Sequence, residues 1–448
     1  MIPKSEDLPT AEKSDLQTPT PKRVRQTTLL RILGERVGGR PLPALKFGQT
    51  FTAFRHYNYR LWFAGQLVSL IGTWMQNTAQ SYLIFELTRS PAYLGYVGFA
   101  AGAPSWLFML YGGVIADRMS RRKLLLITQA AMMILAFILA GLTFSGLIQP
   151  WHIILLAFAL GIANAFDAPA RQSFVVEMVP RDDLTNAIAL NSSMFNLATV
   201  VGPAVAGVTY AFVGPAWCFI LNAISFIAVI MALALLRLTA SANRKRTTAA
   251  LADLAEGIRY TASNMMIRTL IIIASVVSVF SLGYMTLLPA WAVNVLGGDA
   301  TTNGWLQSAR GVGALVGALM IASLGRFKFK GKLLTLSTFV FPTLLFAFAE
   351  ARWLPLSLLA LAGVGWGFMV LFNLANTLIQ TLVSDELRGR VVSIYTLSFF
   401  GLMPVGALLT GAVAEAIGEP LTIVFSALIS LAFAVLLWIY VPRLRSLE

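Results

Sequence analysis

Charged side chains are what this sequence has least of. Asp, Glu, Lys and Arg make up 12% of its 448 residues, about half the roughly 25% usual in soluble domains. A water-soluble body of this length could not cover its surface with so few charges. Cysteine is nearly absent. Cys218 stands alone, which excludes an intrachain disulfide and a multi-cysteine metal site. His56 and His152 are the only histidines, and neither has a second imidazole or a carboxylate at ligand spacing, so no metal and no cofactor is expected. No convergent set of nucleophile, base and oxyanion donors is visible, which argues against an enzyme. The run from Gly325 to Lys332 has one residue too many for a phosphate loop and Leu333 in place of Ser or Thr, so an ATP engine is unsupported. No apolar core follows the basic start as a cleavable signal peptide would require.

Apolar residues are abundant. They make up 57% of the chain, and the mean hydropathy is +0.74. A membrane-spanning helix needs about 20 such residues. Twelve apolar segments are expected: 60–86, 91–116, 123–145, 152–170, 187–212, 216–237, 267–292, 303–324, 332–349, 355–381, 391–414 and 420–441. Helix-breaking pairs such as Ser90-Pro91, Gln149-Pro150, Gly214-Pro215 and Gly297-Gly298 fall between them. Residues 1–57 read as a polar, basic cytoplasmic tail, partly disordered. Residues 238–266 read as a cytoplasmic link with an amphipathic stretch at 249–262.

The net charge of +14 suggests a polyanion partner until its placement is examined. With the N-terminus inside, every Lys and Arg except Arg89, Arg310 and Arg352 falls in a cytoplasmic segment. That is the asymmetry left by membrane insertion, so no nucleic-acid partner is expected. Both termini are expected in the cytoplasm of a bacterial cell, with the chain in the inner membrane. The chain also repeats. Lys123-Leu-Leu-Leu-Ile-Thr matches Lys332-Leu-Leu-Thr-Leu-Ser, Asp182-Asp183-Leu184 matches Asp385-Glu386-Leu387, and Pro203 matches Pro404. Segment k thus resembles segment k+6. The expected fold class is an all-α membrane protein of twelve transmembrane helices in two parallel-repeat six-helix bundles, residues 58–237 and 267–448.

Gly113-Val-Ile-Ala-Asp117-Arg118-Met-Ser120-Arg121-Arg122 resembles the loop signature of the major facilitator superfamily. Asn164-Ala-Phe-Asp167-Ala-Pro169-Ala-Arg171-Gln, with Asn186-Ala-Ile-Ala-Leu-Asn191 and Val201-Gly202-Pro203, resembles its branch of enterobactin exporters and macrolide efflux proteins, the transmembrane secretion effectors. The resemblance covers about residues 50–440. It implies the major facilitator fold, and a latch in which Asp117 faces the helix N-terminus near Arg390, with Gly113, Arg118, Arg121 and Arg122 around it. Ser120 stands where that family prefers Gly. The matching place in the second half, Ser323-Leu324-Gly325-Arg326, lacks the acid, so one latch is expected. Gly202, Pro203 and Gly207 resemble the antiporter motif of the fifth helix, with Ala206 where Gly is usual. A proton as coupling ion is implied by the resemblance alone; residues 152–166 lack the arginine often linked to it.

Polar periodicity marks a path. Gln66, Ser69, Thr73, Gln76 or Asn77, and Gln80 recur at steps of three and four on the first segment, which is one helix face. Shorter stripes are Asn164, Asp167 and Arg171 on the fourth, Ser275, Ser278, Ser281 and Tyr284 on the seventh, and Asn373, Asn376 and Gln380 on the tenth. A polar face toward lipid is costly, so these should face a cavity or another helix. Trp74 and Phe85 are candidate apolar contacts. Asp167 and Arg171, four apart, are a candidate inner gate. Arg310, with Gln307 one turn before it, is an intramembrane charge that either binds an anionic substrate or snorkels to the surface. Glu86, Glu350 and Glu415 should be solvated near the outer ends. The reading is a monomeric secondary active exporter of small amphipathic molecules, siderophores or drugs, by alternating access in the lipid bilayer. An importer or lipid-translocating facilitator on the same fold and a non-transporting receptor or scaffold are the alternatives.

Overall fold

The computed structural model describes residues 51–237, 250–324 and 327–447, with backbone alone for 109–118 and 250–254. Residues 1–50, residues 238–249 of the link and Gly325-Arg326 lie outside the described residues, as do the side chains of Gly113, Asp117 and Arg118. Among the described residues there is no strand. The helices are α1 (Tyr57–Thr88), α2 (Pro91–Arg118), α3 (Arg121–Phe144), α4 (Pro150–Phe174), α5 (Leu184–Val213) and α6 (Pro215–Leu235). A short α7 (Ala250–Ser263) precedes α8 (Met265–Val276) and α9 (Tyr284–Ala290). Then come α10 (Ala300–Leu324), α11 (Lys330–Glu350), α12 (Leu354–Leu382), α13 (Asp385–Phe400), α14 (Met403–Ile417) and α15 (Glu419–Tyr440).

Proline and glycine set the boundaries. α4, α6, α12, α14 and α15 carry Pro in their first two positions, where the missing N–H has no intrahelical partner to lose. Gly214 and Gly418, at φ 90° and 83°, turn α5 into α6 and α14 into α15. Two expected segments are broken. The seventh is α8, a π turn at Val277–Ser281, α9, and a second π turn at Trp291–Val295. Pro289 lies inside α9 and removes one ladder donor there. The eleventh is α13 and α14, separated by a turn at Gly401 and Leu402 ahead of Pro404.

Ten helical stretches among the described residues are long and apolar enough to cross a bilayer. α1, with 32 residues, is long enough but not among them. Gln66, Ser69, Thr73, Gln76, Asn77, Thr78 and Gln80 dilute its apolar content. Phe212, Leu359, Leu436 and Ile439 are exposed on the outer surface, and Trp151, Trp217, Trp353 and Trp438 are exposed near helix ends. That is the surface lipid solvates, with aromatics at its margins.

The buried apolar residues form three clusters. One runs from Ala53 to Leu236, one from Ile267 to Leu444, and a third around Met75, Leu139 and Phe219 also takes in Ala290 and Ala300. The elements before residue 237 meet those after 265 along two main seams, α5 against α10 and α2 against α14. Small residues make both possible. A Cβ on Gly304 would lie 2.5 Å from the Pro203 carbonyl oxygen, and one on Gly411 would lie 2.8 Å from the Gly95 Cα. Helices in lipid associate by such close packing because lipid tails supply no hydrophobic drive between them.

Gly313 tests how tightly the helices are fitted. Its added Cβ would sit 1.7 Å from the Ala362 carbonyl oxygen, whereas nothing lies within 4 Å of one on Gly141. Gly313→Ala should lower the melting temperature in detergent by several degrees, the effect of about 1–3 kcal/mol of overpacking. Gly141→Ala should leave it unchanged or raise it, as helix propensity dictates. Equal melting temperatures for the two variants would contradict this packing.

Candidate functional site

A cavity of about 450 Å³ lies between the two sets of helices. Trp74, Asn77 and Gln80 reach it from α1, Phe195, Asn196 and Thr199 from α5, and Gln307 and Arg310 from α10. Phe368, Met369 and Phe372 of α12 and Phe399, Phe400 and Met403 around the α13–α14 turn form an apolar wall. Among the described residues its lining contains no Asp, Glu, Lys or His, and one Arg.

A second, polar cavity of about 170 Å³ lies within the first set. Gln66, Ser69, Thr73, Asn164, Asp167 and Arg171 line it, and Trp74, Asn77 and Phe195 line both cavities. Asp167 is 1% exposed. Its Oδ1 accepts from Thr128 Oγ1 at 2.9 Å and Gln129 Nε2 at 2.8 Å, and its Oδ2 lies 3.6 Å from Arg171 Nε. Burying a carboxyl group is costly unless it is hydrogen-bonded in this way. The α1 stripe therefore divides. Asn77 and Gln80 meet the larger cavity, Gln66, Ser69 and Thr73 the smaller one, and Gln76 accepts from Asn222 Nδ2 at 2.7 Å.

The seventh-segment stripe goes elsewhere. Ser281 pairs with Ser430 at 2.6 Å, Ser278 donates to the Phe399 carbonyl, and Ser275 donates to Ile271 O of its own helix. Tyr284 is fully buried, with its ring facing Phe348, and lines neither cavity. Ser278, Ser281 and Tyr284 thus meet three different helices, α13, α15 and α11. Asn373 and Asn376 likewise line neither; Asn376 accepts from Gln380 Nε2 at 3.0 Å. Phe372, one turn earlier, takes the cavity position. Phe85 is buried in a core cluster.

Gly202 packs on Trp74 and Ile71 of α1, and Gly207 on Ala300 and Thr301 of α10. α5 stays helical through Pro203. Arg121 pairs with Glu177 at 2.7 Å, and Arg122 donates to the Ala234 carbonyl at 2.6 Å. Glu86 and Glu415, expected to be solvated, are exposed and also have partners. Tyr210 donates to Glu86, and Glu415 accepts from Ser90 Oγ and Ala92 N. Sequence reading missed the His56–Asp183 pair, 2.7 Å apart, because its partners are 127 residues distant. Among the described residues no cluster of three or more metal-type ligands occurs.

Residues 48–448 match the family model of the transmembrane secretion effectors. The chain belongs to this family, a branch of the major facilitator superfamily. It is 25% identical to the staphyloferrin A transporter of Staphylococcus aureus, over 80% of this chain and 90% of that one. It is 27% identical to the multidrug efflux pump Tap of Mycolicibacterium fortuitum (82% and 91% covered) and to the enterobactin exporter EntS of Shigella flexneri (87% and 93% covered). The fold is similar to that of a bacterial homologue of the human lysosomal transporter Spinster in an inward-facing, unoccupied conformation, with a TM-score of 0.68 and 15% identity over 87% of this chain and 97% of that one. It is also similar to the nucleoside transporter NupG, with a TM-score of 0.68 and 15% identity over 85% and 98%. This secretion effector is thus a multi-pass membrane protein of a transporter family, and its relatives are not enzymes.

Cysteine labelling checks the cavity. Cys218 is fully buried, so the native background is low. Asn77→Cys should react with a water-soluble maleimide at least about tenfold faster than Ser281→Cys, because only the former faces open space. Equal rates would remove the assignment of the polar face of α1.

Proposed function

We propose that the chain is a secondary active exporter of small amphipathic molecules, of the siderophore or drug class, working by alternating access with proton antiport. The observation that carries this reading is the placement of the large cavity between elements from both halves. Among the described residues, the hydrogen bonds joining the halves are Thr78–Gln307, Ser308–Val200, Thr301–Gly207, Trp106–Gly401 and those of Glu415. All lie at mid-height or toward the end away from the basic loops. Two bodies that rock about such a seam would open the cavity first to one side of the membrane and then to the other.

In this reading twelve spans form two six-helix bundles, residues 58–237 and 267–448, in the bacterial inner membrane. The basic loops and both termini lie in the cytoplasm, and 238–266 link the bundles. The names of the siderophore and multidrug relatives support the substrate class. Among the described residues Asp167 is the one carboxylate lining either cavity. Gly202, Pro203 and Gly207 hold the seam and the α1 contact. Asp117, with Gly113, Arg118, Arg121 and Arg122, latches the cytoplasmic end when it closes, and Asp167 with Arg171 guards the inner mouth.

Inverted membrane vesicles test the direction and the coupling. Acidifying their interior should drive accumulation of a labelled catecholate siderophore or fluorescent drug, and a protonophore should abolish it. Uptake by intact cells without accumulation in inverted vesicles would overturn the reading. Asp117→Asn should speed cytoplasmic labelling of Asn77→Cys by about twofold or more; an unchanged rate would count against the latch.

A further inference from the structure

Arg310 is the charge that neither topology nor folding accounts for. Of the three arginines outside the basic loops, Arg89 caps α1 with its backbone. Arg352 stacks over Trp291 at 5.4 Å and donates to the Ala349 carbonyl. Arg310 lines the large cavity, and its Nε is buried with no hydrogen-bond partner. Among the described residues it has no ion pair. The helices that pack most closely on α10 are α5 and α12, and neither contains an acidic residue. Among the described residues the cavity lining has no acid to offset it. An uncompensated guanidinium in a low-dielectric, apolar chamber is costly and favours whatever anion enters.

We propose that the central cavity selects amphipathic anions: a flat apolar or aromatic body carrying one carboxylate or sulfonate, with Arg310 binding the anionic group. The guanidinium fork matches a carboxylate with two parallel hydrogen bonds. The aromatic wall of Phe195, Phe372 and Phe399, with Trp74, provides faces for a planar body. Asn77 and Gln80 supply the neutral hydrogen bonds that orient it. An organic cation of the same shape meets the same wall but an unfavourable charge. The inference rests on the reading of this cavity as the transport site.

The test uses three probes of one shape: 2-naphthoate, 2-naphthalenemethanol and 2-naphthylmethylammonium. Equilibrium dialysis against the purified full chain should show naphthoate bound at least about tenfold tighter than the other two. Arg310→Gln should abolish that preference while leaving the alcohol within about twofold, and Arg310→Lys should keep part of it. Because Arg310 has no partner to lose, Arg310→Gln should not lower the melting temperature of the empty protein. Equal affinity for all three probes, or an equal loss of all three in the variant, would overturn the proposal. Vesicle accumulation of the bound probe is read separately. Export without anion preference would remove the substrate class and leave the exporter; anion binding without any accumulation would remove the exporter and the inference with it.

Discussion

Hydrocarbon offers a polar group no hydrogen-bond partner, and the arrangement of this chain follows from that constraint. Each polar side chain on a long helix must pair inside the protein or face a space that water can enter. Gln76 with Asn222, Ser281 with Ser430, and Asp167 with Thr128 and Gln129 take the first course. Asn77, Gln80 and Arg310 take the second. Leucine, isoleucine and phenylalanine are left for the outer surface, with tryptophans near the helix ends.

The same constraint shapes the seams. Oppositely charged pairs across α5–α10 or α2–α14 would be expensive to separate in a low dielectric. Instead the seams are built of Gly95, Gly207, Gly304 and Gly411 with a few hydrogen bonds, among them two from hydroxyls to backbone carbonyls and those of Glu415 at the outer margin. Contacts of this kind hold two surfaces closely, yet each costs little to break. That suits an interface that must close and open in every cycle.

The sequence carried the helices plainly, because Pro and Gly mark their ends through backbone geometry, which is local. It also carried the polar face of α1 and the exceptional place of Arg310, since both are contrasts within an apolar segment. Spacing alone says which residues share a face and is silent on what that face meets. Of the two surroundings open to the seventh stripe, a cavity or another helix, Ser278 and Ser281 meet other helices, Ser275 its own backbone, and Tyr284, expected at the cavity, packs in the core. Partners distant in sequence were invisible: Thr128 and Gln129 on Asp167, and Asp183 on His56. Phe195, Phe372 and Phe399 line the cavity without any signal, because an aromatic in an apolar helix has no contrast with its neighbours. The π turns around α9 had no pattern to announce them beyond Pro289.

The most direct test of alternating access about this cavity is to lock the end away from the basic loops. Ser90 Oγ and Glu415 Oε2 are 2.7 Å apart across the α2–α14 seam. Cysteines at both positions, joined by a short cross-linker in vesicles, should stop transport while maleimide still reaches Asn77→Cys from the basic side, and cleaving the linker should restore transport. Full transport with the lock in place would contradict the account.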